Sequence, residues 1–134
     1  MPPHLEEAFR ALRLADRDIE AFAVLREASH IHSSIIGFHA QQAIEKSLKA
    51  VLFARQIEFE RTHDLVRLSF LLRQHAIEPP LSDSSLRRLN PFAVMMRYDD
   101  WENEVSFVDE TAVWLQTIRE WANQQITGLH RQSS

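Results

Sequence analysis

The chain has 134 residues, of which 45% are hydrophobic and 25% charged, a composition that fits one globular domain rather than a disordered chain. Its net charge of −4 argues against a broadly basic nucleic-acid-binding surface, and no DNA partner is expected. The absence of cysteine excludes disulfides and thiolate chemistry, and the lack of a secretory signal or of about 20 consecutive apolar residues predicts a cytoplasmic protein without a membrane contact.

Two helices are predicted in the first part of the chain. Apolar residues recur at three- and four-residue steps between Leu5 and Leu25, which is the pattern of an amphipathic helix. A second helix is expected to follow Ser33 or Ser34, either of which can cap it, and to end near Arg55. On a helical wheel, one face of the second helix consists of small and aliphatic residues that allow close packing. These residues are Ile36, Ala40, Ala43, Ile44, Ser47, Ala50, Val51 and Ala54.

The opposite strip of the second helix mixes charged, amide and aromatic side chains. A solvated face does not usually carry two phenylalanines, so we expect this strip to be a contact surface. Glu45 and Lys49 fit a helical i,i+4 ion pair, worth about 0.2–0.5 kcal/mol. Lys46 and Lys49 lie about 60° apart on the wheel and can approach one phosphate or a partner's carboxylates. The strip comprises Phe38, His39, Gln42, Glu45, Lys46, Lys49 and Phe53.

A third helix is predicted after a short loop. Thr62 can serve as its N-cap, and Asp64 in the first turn complements the helix dipole. Leucines at helical spacing continue the pattern to about His75. Pro79 and Pro80 then break the chain, and we interpret this segment as a loop within one domain.

A fourth helix is expected to begin near Asp83 and to be interrupted at Asn90, because proline follows it and disrupts a helix interior. The last helix is predicted from about Ser106 to Thr127, and the final seven residues are expected to fray. Short loops between long helices favour an all-α, up-and-down bundle of four to five helices. The whole chain, 1–134, is interpreted as one domain with its core between about residues 5 and 127.

Several motifs occur in an order that resembles the HEPN family. The central piece runs from Phe38 through a Glu-Lys pair and a second lysine into a Thr-His-Asp-Leu helix start. The segment ADRDIEAF of the first helix and the Met-Arg-Tyr element that ends at Tyr98 agree with it, so the resemblance covers residues 5 to 125. The residues that carry it are Gln42, Ala43, Glu45, Lys46, Lys49, Ala50, Thr62, His63, Asp64 and Leu65.

The resemblance implies a four- to five-helix, HEPN-like bundle that is usually a homodimer. Family members are found in bacteria and archaea beside a small nucleotidyltransferase, as two-component modules of toxin–antitoxin type. Many members are metal-independent endoribonucleases that use an arginine followed, after four to six residues, by a histidine. Where the partner enzyme nucleotidylates its HEPN protein, the resemblance points to Tyr98 as the acceptor hydroxyl.

The ribonuclease motif is altered in this chain. Arg97 stands at the expected position, but Glu102 follows after a four-residue gap and no histidine occurs until His130. A histidine exchanges protons near neutral pH, whereas an exposed glutamate is ionised and repels RNA phosphate. The one literal match, Arg26 with His32, lies between the first two helices and outside the family position.

The candidate site residues therefore fall into two groups. Gln42, Lys46 and Lys49 are predicted to bind a ligand or partner, together with Arg97 and Tyr98, whose guanidinium and phenol suit phosphate and a base or sugar. Arg97 and His63 are the candidate catalytic residues. For His63, a structural role that ties the third helix to a neighbour is the favoured alternative.

Two functional hypotheses follow. The first is a dimeric interaction component that binds nucleotide or RNA and works with a minimal nucleotidyltransferase. The second is a metal-independent endoribonuclease in which Arg97 holds the phosphate and His63 takes a proton. No cofactor is expected, and no metal site either, because His30 and His32 do not share a helix face and no zinc motif occurs.

Overall fold

The structure, a computed structural model, describes residues 1–28, 30–31, 33–93 and 105–133. Within these ranges the regular elements are all helices, as predicted from the sequence. They are α1 Pro3–Leu25, α2 Ser33–Ala54, α3 Leu65–Gln74, α4 Asp83–Leu89, a 3-10 helix Asn90–Ala93, and α5 Val105–Ser133. No helix in the described part of the chain is long and apolar enough to cross a membrane.

Helix α2 lies at the centre of the bundle. It packs against α1, α3, α5 and the 3-10 helix, and none of residues 33–54 is exposed. The predicted small-residue face is buried along its whole length, and Ala40, Ala43 and Ala50 are completely inaccessible. Because alanine side chains are short, the backbones of α1 and α2 can approach closely there, and the fully buried Ile44 and Leu48 add about 1.5–3 kcal/mol each.

The start of α3 differs from the prediction. Asp64, not Thr62, is the N-cap, since its side chain accepts hydrogen bonds from the backbone N–H groups of Val66 at 3.0 Å and Arg67 at 3.3 Å. Thr62 Oγ1 instead accepts from the backbone N–H of Asp64 at 3.1 Å. The predicted cap was therefore placed two residues too early, and Asp64 precedes the helix.

The predicted interruption at Asn90 is confirmed, because α4 ends at Leu89 and a 3-10 helix follows. The Asn90 side chain accepts from the backbone N–H of Leu65 at 2.8 Å and donates to Asp64 Oδ1 at 2.9 Å. Asn90 thus helps to close the N-terminus of α3 and fixes the loop that precedes it.

Helix α5 is longer than predicted and continues through the last residues that were expected to fray. Leu129 packs against the hydrophobic core. The ring of His130 meets that of Phe9 edge-on, with 5.9 Å between the ring centres. The first turns of α1 therefore give the end of α5 a surface to pack on, which the local sequence does not reveal.

Candidate functional site

Two carboxylates are buried within the bundle, one on α1 and one on α2. The side chains of Asp18 on α1 and Glu45 on α2 are 10% and 5% exposed. A carboxylate that leaves water must be compensated by cations or hydrogen-bond donors. Each of these carboxylates is held by one lysine and one histidine. We call Asp18, His39 and Lys46 the Asp18 cluster, and Glu45, Gln41, Lys49 and His63 the Glu45 cluster.

The Asp18 cluster joins α1 to α2. Lys46 donates from Nζ to Asp18 Oδ2, and His39 Nδ1 lies 2.9 Å from Asp18 Oδ1. His39 and Lys46 are seven residues apart, which is two turns of helix, so both project from the same side of α2. One carboxylate of α1 thereby contacts two successive positions of α2.

The Glu45 cluster joins α2 to the loop before α3. Glu45 Oε1 accepts from Gln41 Nε2 at 3.0 Å and lies 2.9 Å from His63 Nδ1. Lys49 Nζ donates to Glu45 Oε2 at 2.9 Å, which confirms the predicted i,i+4 pair. Gln41 Nε2 also donates to the backbone carbonyl of His63 at 3.0 Å. A single turn of α2 therefore holds both the ring and the backbone of His63.

The loop reaches this position because α2 ends in a tight turn. Gln56 adopts a left-handed conformation with φ of 56°, and the backbone N–H of Ile57 donates to the carbonyl of Leu52 at 2.9 Å. The buried Ile57 side chain anchors the loop. Phe59 then packs edge-on against Phe53, with ring centres 5.4 Å apart.

The electrostatic environment keeps Glu45 ionised. Burial alone would raise the pKa of its carboxyl group. Hydrogen bonds from Gln41, Lys49 and His63, together with the positive charge of Lys49, outweigh that effect and hold the pKa below its ordinary value. Glu45 is consequently a permanent negative charge near neutral pH.

A stripe of partly exposed side chains runs along α2 and includes the lysines of both clusters. We define the α2 stripe as Gln42, Lys46, Lys49 and Phe53, which are spaced four, three and four residues apart. The lysine side chains are 28% and 18% exposed. Lys49 also lies 5.8 Å from the centre of the Phe59 ring. The structure therefore places three predicted binding residues, Gln42, Lys46 and Lys49, on one edge of α2.

The structure brings His63 to the Glu45 cluster and leaves its side chain 61% exposed. This is the predicted structural tie between the start of α3 and a neighbour. Arg97 and Tyr98, which complete the predicted site, lie outside the described residues, as do Glu102 and His32. Arg26, the arginine of the literal motif match with His32, forms an ion pair with Asp109 and contacts the ring face of Phe22.

Sequence reasoning missed Asp18 and Gln41. Asp18 falls on the buried stripe of α1, between Ala15 and Phe22 at three- and four-residue steps. A carboxylate on an apolar stripe is a signal of a buried partner, and it was available in the sequence. Gln41 lies on the buried side of α2, four residues before Glu45, where its amide was not distinguished from its neighbour Gln42.

In the described part of the chain, no group of three or more histidine or carboxylate side chains is arranged to hold a metal ion. A surface groove of about 580 Å³ lies between α1 and α5 and is lined by Phe9, Arg13 and Arg119 among others. None of the residues of the two clusters lines this groove.

Comparison with known proteins gave three results. Residues 8–124 match the model of the HEPN domain family. The fold is similar to the crystal structure of an archaeal HEPN homologue, with a TM-score of 0.64 and 22% sequence identity, over 89% of this chain and 97% of that chain. The comparison with curated proteins returned no significant match.

Proposed function

Because the chain belongs to the HEPN family, we propose that it is the dimeric, nucleotide- or RNA-binding component of a two-component module of toxin–antitoxin type. Its partner in this proposal is a minimal nucleotidyltransferase. The observation that carries the proposal is the pair Lys46 and Lys49, two partly exposed ammonium groups that are each held by a buried carboxylate.

Anchored lysines suit phosphate recognition. An ammonium group has three N–H donors, and the carboxylate contact of Lys46 or Lys49 uses one of them. The remaining donors can reach phosphate oxygens or carboxylates of a protein partner. Since Asp18 and Glu45 already fix the two side chains, a ligand does not have to order them, which lowers the entropic cost of binding.

The mixed composition of this side of α2 supports a homodimer. The aromatic side chains of Phe38 and Phe53 lie among charged and amide residues, which is unusual for a surface that contacts only water. A two-fold axis would bring the same stripe of each subunit together. A nucleotide or RNA phosphate between the subunits would then contact Lys46 and Lys49 from both sides and offset the repulsion between them.

The dimer and the binding site can be tested with one set of variants. We expect the wild-type protein to be a dimer by light scattering at micromolar concentration and to bind ATP or a short single-stranded RNA in fluorescence titrations. The double variant Lys46→Gln/Lys49→Gln should lose at least about 10-fold in affinity, which corresponds to about 1.4 kcal/mol. A control variant, Arg17→Gln/Arg87→Gln, removes the same charge from exposed positions of α1 and α4 and should change affinity less than about twofold.

A monomer at these concentrations would contradict the dimer. Equal losses in the two double variants would show that only net charge matters and would remove the α2 stripe as the binding site.

The partnership with a nucleotidyltransferase has its own test. The adjacent reading frame should encode a short protein with the Gly-Ser and paired-aspartate pattern of these enzymes. Incubation with that enzyme and ATP should add nucleotide mass to the chain, and Tyr98→Phe should abolish the adduct. No adduct, or an adduct that survives Tyr98→Phe, would exclude Tyr98 as the acceptor.

A second candidate function is metal-independent RNA cleavage by Arg97 and His63. It is favoured by one observation, the exposed ring of His63 beside the α2 stripe. Cleavage should persist in chelator and disappear in both Arg97→Ala and His63→Ala. Clean wild-type protein without cleavage, or cleavage unaffected by both changes, would remove this candidate.

A further inference from the structure

A groove lies between α1 and α5, which contact each other at two points beside it. At one contact the rings of Phe9 and His130 meet edge-on, and at the other Asp16 accepts two hydrogen bonds from Arg119, of 2.8 and 3.0 Å. The two contacts are seven residues apart on α1, which is about 10 Å along the helix axis. The groove volume of about 580 Å³ is within the range of small-molecule sites. These dimensions fit a molecule of one or two rings better than a polymer chain.

The groove is apolar in the middle and acidic at one end. Leu12 is buried and Phe9 is half-buried, and both belong to the apolar part of the lining. Glu6 and Glu7, both exposed, line the end near the start of α1. Arg10 contacts Glu7 at 3.9 Å and offsets part of the negative charge. A negative group on a ligand is still repelled by Glu6 and is therefore disfavoured at this end.

The opposite end of the groove presents hydrogen-bond donors from both helices. Asp16 uses two of the five N–H groups of Arg119, so three remain on a side chain that is already oriented. Asn123 follows one turn later on the same face of α5 and adds an amide. Arg13 is exposed, forms no ion pair with any described residue, and lies seven residues from Glu6, about 10 Å along α1. This end matches a carboxylate, which accepts charge-assisted hydrogen bonds from guanidinium groups.

We propose that this groove binds a small aromatic monocarboxylate, with the carboxylate at Arg13 and Arg119 and the ring against Phe9. A flat ring gains from both kinds of neighbour, because aromatic rings pack on one another and guanidinium groups stack on aromatic faces. An aliphatic chain gains only apolar contact. A second negative charge would approach Glu6 and Glu7, so a nucleotide or another polyanion fits poorly. The groove shares no residue with the α2 stripe, and this site is therefore independent of the proposed function.

Naphthoate is a suitable probe because it has two fused rings and one carboxylate. We expect it to bind the wild-type protein with a Kd below about 1 mM in isothermal titration calorimetry, and to shift the amide NMR signals of Phe9, Arg13 and Asn123. Naphthamide, which has the same rings without the charge, should bind at least about fivefold more weakly, and naphthalene dicarboxylate should bind no more tightly than naphthoate. A Kd above about 1 mM, a smaller loss for naphthamide, or tighter binding of the dicarboxylate would overturn the proposal.

Two exposed arginines one turn apart on α1 provide a matched pair of variants. Arg13→Gln should weaken naphthoate binding at least about fivefold, whereas Arg17→Gln, outside the groove, should change the Kd less than about twofold. Similar losses in the two variants would show that only general attraction between charges is measured, and the groove would then not be the binding site.

Asn123→Phe tests the position of the site without removing charge. The larger side chain occupies part of the groove and should weaken naphthoate binding at least about fivefold, while amide NMR signals remote from the groove keep their wild-type positions. Unchanged affinity in this variant would place naphthoate elsewhere and contradict the proposal. ATP at about 1 mM should not displace naphthoate from the wild-type protein. Displacement would show that the groove accepts a polyanion and would refute the monocarboxylate class.

Discussion

The Asp18 and Glu45 clusters share three chemical groups and connect different parts of the fold. Each has one buried carboxylate, one lysine and one histidine whose Nδ1 lies 2.9 Å from the carboxylate. In the Asp18 cluster the histidine belongs to a helix and is 23% exposed. In the Glu45 cluster the histidine belongs to a loop and is 61% exposed.

The difference lies in what holds the connected elements when the polar contacts are removed. Helices α1 and α2 pack along most of their length through buried alanines and leucines. The loop 55–64 has few such contacts and is held by Ile57, Phe59, Asn90 and the Glu45 cluster. The Asp18 cluster therefore supplements a packed helix–helix interface, whereas the Glu45 cluster positions a loop.

The largest effect should come from Glu45→Ala. This change leaves Gln41, Lys49 and His63 without their common acceptor and removes one of the contacts that hold the loop before α3. Breaking a buried charged network of this kind costs about 3 kcal/mol. Urea unfolding followed by circular dichroism should show this loss, and Glu60→Ala, at a carboxylate whose side chain is 79% exposed, should change stability by less than about 0.5 kcal/mol. A loss below about 1 kcal/mol at Glu45 would mean that the loop is held by other contacts.

Asp18→Ala should have a smaller effect, of about 1–2 kcal/mol. Lys46 and His39 are 28% and 23% exposed, so water can replace some of the hydrogen bonds that they make to the carboxylate. The apolar contacts between α1 and α2 remain. The same urea titration measures the loss, with the exposed Glu20→Ala on α1 as the control. If Asp18→Ala lost more unfolding free energy than Glu45→Ala, the contact between α1 and α2 would depend more on its polar cluster than the loop does.

The sequence predicts the helices well because burial on a helix follows its 3.6-residue period. Helix α1 was expected from Leu5 to Leu25 and spans Pro3–Leu25, and the small-residue face of α2 is buried as the wheel indicates. The cap of α3 was not predictable in this way. Thr62 and Asp64 are both capping residues, and the Asn90 side chain, which is distant in sequence, bonds to Asp64.

The site was only partly predictable for the same reason. The wheel places Gln42, Lys46 and Lys49 on one edge of α2 because these positions depend on one helix alone. The contact between Asp18 and Lys46 depends on the register of two helices, and the contact between Glu45 and His63 depends on the turn at Gln56. Such contacts require the tertiary structure.

Substitution of the two histidines sharpens the comparison further. His39→Ala should cost about 1 kcal/mol, since the ring is mostly buried against α1 and Asp18 loses a partner. His63→Ala should cost about 0.5 kcal/mol or less, because the exposed ring contributes little to stability. Thermal unfolding of both variants in one buffer gives the difference. Equal losses of stability in the two variants would show that the exposure of a histidine ring does not determine how much it stabilises the fold.

The smallest expected effect is on how the unfolding free energy changes as the pH falls from 7 to 3. Hydrogen bonds and the charge of Lys49 hold the pKa of folded Glu45 below the ordinary value of 4.5 despite its burial, so the unfolded chain takes up a proton at a higher pH than the folded one. Glu45 therefore contributes its full ionic stabilisation above pH 4.5, and this contribution is lost as the pH falls through the folded-state pKa. In Glu45→Gln no proton can bind at this position, so the unfolding free energy, measured by urea titration from pH 7 to pH 3, should fall less steeply below pH 4.5 than in the wild type. Parallel curves for the two proteins would mean that folding does not favour the ionised form of Glu45, and the carboxylate could then not act as a fixed charge beside His63.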